Sequence, residues 1–118
     1  MRRVRWTQTA QRELDSLLEW WERHRGPEQA GRVAVSVAEA IRRAAENPEL
    51  FAWVGSLHEV LEPLPRNVRR VLTRPPRYAI YYRHVVVAAD EIQILCIRGG
   101  GQLPPSGDEL SKNAESLP

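Results

Sequence analysis

The chain predicts an α+β fold: an N-terminal strand, then an antiparallel helical hairpin packed on an antiparallel sheet that ends in a three-stranded C-terminal meander. Three observations carry that reading. Apolar residues recur at helical spacing from Ala10 to Trp21 and again from Ala30 to Ala45. Alternating, β-branched and aromatic runs occupy residues 68–74, 78–87 and 91–98, with connections too short for parallel pairing. Pro27, Asn47-Pro48 and Pro75-Pro76 fall at the joints between these stretches.

Residues 3–7, Arg-Val-Arg-Trp-Thr, alternate and read as a short strand with Val4 and Trp6 on one face. Thr7 has the side chain to cap a helix start. Ala10, Leu14, Leu17, Leu18 and Trp21 then form one apolar stripe, opposite Arg12, Glu13, Asp15, Glu19, Glu22 and Arg23. Trp20 lies at the edge of the stripe and is expected to flank the core. His24 closes the helix, where a cation meets the dipole favourably. Gly26 ends this helix and Pro27 suits the first turn of the next. Ala30, Val33, Ala34, Val37, Ala38, Ile41, Ala44 and Ala45 make the second stripe, which Asn47-Pro48 stops.

Residues 48–65 mix Pro48, Gly55, Pro63 and Pro65 with Leu50, Phe51, Trp53, Leu57 and Leu61, and read as an irregular packed connection that contains His58. A strand from Val68 to Arg74 is broken by Pro75-Pro76, which cannot donate to a ladder. The next runs from Tyr78 to Val87, with Tyr78, Ile80 and Tyr82 on one face and Ala79, Tyr81 and Arg83 on the other. After a turn at Ala88-Ala89-Asp90, Glu91 to Arg98 returns as the last strand. Gly99-Gly100-Gly101 and Pro104-Pro105 end the pattern. A single domain over residues 1–105 is expected, followed by a flexible polar tail over 106–118 in which Leu110 and Leu117 are isolated, with a short helix from Asp108 to Glu115 as the alternative.

With 118 residues, 42% of them hydrophobic, the chain has enough apolar material for one core and is not a highly charged disordered polymer. No apolar run approaches the roughly 20 residues that span a bilayer, and no secretory leader follows the N-terminal arginines. The one cysteine, Cys96, cannot form an internal disulfide, and no Cys/His cluster has zinc spacing. A soluble, cytoplasmic domain without metal or cofactor is expected. The net charge of +2 hides alternating blocks: residues 1–7 carry three Arg, residues 8–65 ten acids against six Arg, and residues 66–98 seven Arg against Asp90 and Glu91. All basic residues but Lys112 are Arg, the planar cation suited to carboxylate and phosphate partners, so the back half is expected to meet an anionic partner.

Trp6-Thr7 followed by Ala10 and Glu13-Leu14, Asn47-Pro48 at the end of the second helix, and the strand pair Leu72-Thr73-Arg74-Pro75-Pro76-Arg77-Tyr78-Ala79-Ile80-Tyr81-Tyr82-Arg83 and Ile92-Gln93-Ile94-Leu95-Cys96-Ile97-Arg98-Gly99 act in combination. Together they resemble the RelE/ParE superfamily of toxins from type II toxin–antitoxin systems, closer to the ParE-like branch. The likeness spans about residues 3–104. It implies a toxin that pairs with a cognate antitoxin as a hetero-oligomer, and whose target is either DNA gyrase (ParE-like) or mRNA on the ribosome (RelE-like). Where the ParE-like branch shows His-Gly-x-Arg-x-x-Pro, this chain has Arg98-Gly99-Gly100-Gly101-Gln102-Leu103-Pro104, so a histidine becomes Arg98 and an arginine becomes Gly101.

RNA cleavage through a 2′-hydroxyl needs a base, an acid and cations around the phosphorane. The resemblance places a C-terminal Tyr or His in that role, but no Tyr follows Tyr82 and no His follows His84. No catalytic residue is therefore assigned. The expected target-binding residues are Arg74, Arg77, Tyr78, Arg83 and Arg98, presented at strand ends to gyrase. Two alternatives stay open at this point. One is a nuclease with a non-standard site built from Arg74, Arg77 and His84 beside Tyr78; the other is a nucleic-acid-binding module whose arginines contact phosphates.

Overall fold

The computed structural model describes residues 2–51, 68–86, 90–99, 102 and 105–117. Strand β1 (Arg3–Trp6) leads through Thr7 into helix α1 (Gln8–Arg25). Thr7 is fully buried, and its hydroxyl has two tasks. It accepts from the Ala10 amide at 3.1 Å, capping α1, and donates to the Ile94 carbonyl at 2.9 Å, tying the strand–helix joint to the sheet. Helix α2 (Pro27–Glu46) follows after a single residue, Gly26, whose φ of 92° is open to glycine at little cost. Pro27 occupies the first turn of α2, where no intrahelical donor is needed.

A 3₁₀ turn, Pro48–Leu50, closes the helical pair. The remainder of the expected irregular connection, with Trp53, Leu57, His58 and Leu61, lies outside the described residues. Strands β2 (Val68–Leu72), β3 (Tyr78–Val85) and β4 (Glu91–Gly99) form the expected antiparallel meander. The sheet order is β1-β4-β3-β2, and β1 joins the β4 edge in parallel, with Val4 opposite Ile92. The sheet is therefore mixed rather than wholly antiparallel. The chain re-enters the sheet at the far edge as β2, and the two reversals of the meander bring β4 back beside β1 in the same direction.

β2 ends two residues earlier than alternation suggested, because Thr73 turns the chain. Its amide donates to the Tyr78 carbonyl at 2.9 Å, and its hydroxyl accepts from the Tyr78 amide at 2.9 Å. The run expected to continue to Val87 leaves the ladder after Val85, and residues 87–89 lie outside the described set.

The main core lies between the sheet and the helical pair. Val33, Val37, Ala40, Ile41, Ala44 and Ala45 of α2 meet Val71, Ile80, Tyr82, Ile92, Ile94 and Ile97. The observed α2 stripe is rotated from the expected one: Ala40 is fully buried and Ala38 exposed. Of the α1 stripe only Ala10 is fully buried; Leu14, Leu17, Leu18 and Trp21 are half-buried at the core's margin. Tyr82 donates its hydroxyl to the Pro48 carbonyl at 2.6 Å, and burial pushes its phenol well above the usual range.

A β-bulge breaks the β3–β4 register. Tyr81 faces Cys96 while Tyr82 faces Ile94, so Leu95 is an extra residue on β4. Leu95 and Cys96 consequently share one face, where a second, smaller core forms with Val68, Tyr81 and Leu110. Leu110 belongs to helix α3 (Gly107–Glu115), capped by the Ser106 hydroxyl, which accepts from the Glu109 amide at 3.1 Å. This corrects the expectation of a flexible tail over 106–118. Leu110 is only 1% exposed, and Asn113 donates its side-chain amide to the Leu95 carbonyl at 3.0 Å, satisfying the bulged residue. The sheet thus carries helices on both faces.

Candidate functional site

An open groove of about 770 Å³ runs between the outer face of helix α1 and the ends of β3 and β4. One wall is Thr9, Arg12, Glu13, Ser16, Leu17 and Trp20 from α1; the other is Pro76, Arg77, Tyr78, Ile97, Gly99 and Gln102. Tyr78 is braced by its hydroxyl, which accepts from the Trp21 indole at 2.7 Å. Gly99 permits the close approach of the Tyr78 ring, since a Cβ there would meet ring carbon Cε1 at 3.2 Å.

Trp20 stands at the mouth of the groove. It is 46% exposed, far more than a core flank, and stacks on His24 with ring centroids 4.5 Å apart. Trp21 meets it edge-on at 5.5 Å. A large apolar ring is thereby held rigid while half its surface faces solvent. Sequence periodicity places Trp20 at the stripe edge but does not show that the neighbouring wall is missing. Arg12 and Arg77 flank the groove from opposite walls; both are exposed, and among the described residues neither side chain has a hydrogen-bond or ion-pair partner.

The five expected target-binding residues do not form one cluster. Arg74 and Arg77 sit together on the exposed β2–β3 turn, and Tyr78 forms the groove wall beside them. Arg83 lies on the opposite sheet face and donates through Nε to Gln93 at 2.8 Å, about 17 Å along the strand from Tyr78. Arg98 is not a free contact. Its side chain is 14% exposed and bridges the carboxylates of Glu13 on α1 and Glu109 on α3. Glu13 also accepts from the Ile97 amide at 3.1 Å, on the β4 edge beyond the end of β1. Arg70, passed over in the sequence, lines a smaller cavity of about 230 Å³ with Arg77, Tyr81 and Arg98 on the second sheet face.

Glu13, Cys96 and Glu109 bring their ligand atoms within 4.8 Å of one another, but Arg98 already supplies the positive charge between the two carboxylates. Burial, aided by Glu13, pushes the Cys96 thiol up to about 12, so it is an inert core sulfhydryl at neutral pH.

His84 is not brought to Arg74 and Arg77; it lies at the far end of β3, about 23 Å from Arg77. Its Nε2 is 2.7 Å from Asp90 and its Nδ1 3.1 Å from Glu49, and these carboxylates pair in turn with Arg2 and Arg69. Burial alone would lower the His84 pKa, but the hydrogen bonds to Asp90 and Glu49 prevail and raise it above the ordinary histidine value. The same contacts hold both carboxylates below theirs. A raised folded-state pKa stabilises below the unfolded value of about 6.5 and is lost as pH climbs through the folded value. The thermal midpoint is therefore expected to decline between about pH 6 and 8, and His84→Gln to remove that decline. Equal slopes in the two proteins over that window would show that His84 does not couple to folding.

No described helix is long and apolar enough to cross a membrane. Compared with known proteins, residues 4–104 match the family described as the ParE toxin of type II toxin–antitoxin system, parDE. No curated protein sequence matches. Among solved structures, the chain is similar to one described as the chromosomal ParDE TA system from P. aeruginosa. The two share 22% identity at a TM-score of 0.57, over 84% of this chain and 96% of the other.

Proposed function

Because the chain belongs to the ParE toxin family of type II toxin–antitoxin systems, we propose that it acts in the cytoplasm by binding and inhibiting DNA gyrase, without catalysis of its own, until a cognate antitoxin neutralises it. The observation that carries this reading is the pairing of an open apolar groove with unpaired arginines on its rim. Such a surface suits protein contact: a rigid aromatic anchor, desolvated apolar walls and cations that set register. It is poorly suited to proton transfer, since His84 is engaged with two carboxylates at the other end of β3.

The antitoxin segment that fits the groove is amphipathic, with a bulky apolar residue against Leu17, Trp20 and Tyr78 and acidic residues toward Arg12 and Arg77. Arg74, exposed beside Arg77 with no side-chain partner among the described residues, extends the cationic rim and is assigned to gyrase contact.

Parallel assays test the reading. The purified chain is expected to inhibit gyrase supercoiling, to lose that inhibition on addition of its antitoxin, and to leave a defined mRNA intact in a ribosome-containing translation reaction. Arg74→Ala with Arg77→Ala is expected to weaken gyrase inhibition at least tenfold while shifting stability little, as exposed charges usually do. Discrete mRNA fragments abolished by His84→Ala, with supercoiling untouched, would replace the binding reading with a nuclease.

A further inference from the structure

The second sheet face carries the same chemistry expected of a surface that receives an acidic amphipathic helix. Val68, Tyr81 and Leu95 form an apolar patch, and Arg83 and Arg98 stand on its borders. The chain itself supplies a matching occupant. Helix α3 carries Asp108, Glu109 and Glu115 against one Lys112, and lays Leu110 on the patch. Glu109 pairs with Arg98, while Glu115 lines the same 310 Å³ cavity as Arg83. The family match ends at residue 104 and α3 begins at Gly107, so this occupant lies outside the matched residues.

We propose that α3 is a detachable cover, held in cis over a docking surface for an acidic amphipathic helix, and that a partner helix using this face must first displace it. The identity of that partner as the antitoxin rests on the toxin reading; the detachability of α3 does not.

Three features make release of α3 separable from unfolding. A nine-residue helix is too short to be stable alone and depends on its contacts. Those contacts are few: Leu110 as its one fully buried large side chain, Asn113 on the Leu95 carbonyl, Glu109 on Arg98, and the Ser116 carbonyl that accepts from the Gln8 amide at 3.1 Å. The β4 ladder to β3 and β1 uses none of them, and Arg98 keeps Glu13 as a partner when Glu109 leaves. The cover also lowers the apparent affinity of any competitor by the fraction of molecules that are open.

Cys96, the only cysteine in the chain, lies fully buried in the cluster that Leu110 closes and so reports opening directly. The test measures its reaction with a chromogenic aromatic disulfide in the full-length protein across low urea concentrations. Sub-global opening is expected to give a urea dependence well below that of global unfolding. Leu110→Ser is expected to raise the labelling rate at least tenfold, and Glu109→Gln about threefold in a chain whose core is untouched. A fluorescent peptide of residues 105–117 is expected to bind Leu110→Ser saturably and the wild-type chain at least tenfold more weakly, while a scrambled peptide binds neither. If labelling follows the global unfolding dependence in the wild type and in Glu109→Gln, or if the peptide does not distinguish the two chains, α3 is a fixed part of the fold and the proposal fails. Neither gyrase nor antitoxin is present in the assay, so this failure would be distinct from failure of the toxin reading.

Discussion

Arg98→Ala is expected to lower the unfolding free energy by about 2–3 kcal/mol and the thermal midpoint by roughly 10 °C. Its guanidinium is the shared partner of Glu13 and Glu109, and its removal leaves two partly buried carboxylates facing each other without a cation. Breaking a fully buried pair costs about 3–5 kcal/mol. The lower figure applies here because Glu13 and Glu109 keep 23% and 37% of their side-chain surface in solvent. Arg98→Lys is expected to recover only part of the loss, since one ammonium cannot present two parallel edges to two carboxylates. Thermal melts at neutral pH decide the matter. A change within about 0.5 kcal/mol for Arg98→Ala would return Arg98 to the exposed surface residues.

Trp20→Ala is expected to weaken antitoxin binding at least 100-fold, about 2.7 kcal/mol, while leaving the fold cooperative. The ring is already ordered by His24 and Trp21, so a partner that covers it gains contact area without immobilising a mobile side chain. Titration calorimetry of the purified antitoxin with each variant gives the comparison. Val35→Ala, on the exposed face of α2 away from the groove, serves as the control and is expected to bind like the wild type. Affinity within threefold of wild type for Trp20→Ala would move the antitoxin contact elsewhere.

Much of this architecture was legible in the residues themselves. Thr7 as a cap, Pro27 at a helix start, the facing pattern of β3 and the antiparallel meander all follow from local chemistry that acts within a few positions. The misses share a different cause. The partners of Arg98 lie 85 and 11 positions away, and nothing local distinguishes an arginine that will be clasped from one that will be solvated. Helix α3 was legible only as the alternative to a flexible tail, because a single buried leucine in a polar segment has no periodicity; its docking depends on a sheet face made elsewhere. Trp20 was placed correctly on the helix, yet its exposure depends on how α1 meets the sheet. The candidate site suffered most from this, because a groove is a property of two elements and of the space between them.

The extra residue at Leu95 means that β4 is two half-strands written in opposite phase. Upstream, Ile92 and Ile94 point at the helical pair; downstream Ile97 does so again, three positions after Ile94 rather than two. Positions 94 and 97 therefore behave as mutational siblings, as do the adjacent 95 and 96, against the usual odd–even grammar of a strand. Aligned without a gap to a strand that lacks this extra residue, β4 would exchange the inside and outside of everything beyond it, Arg98 included.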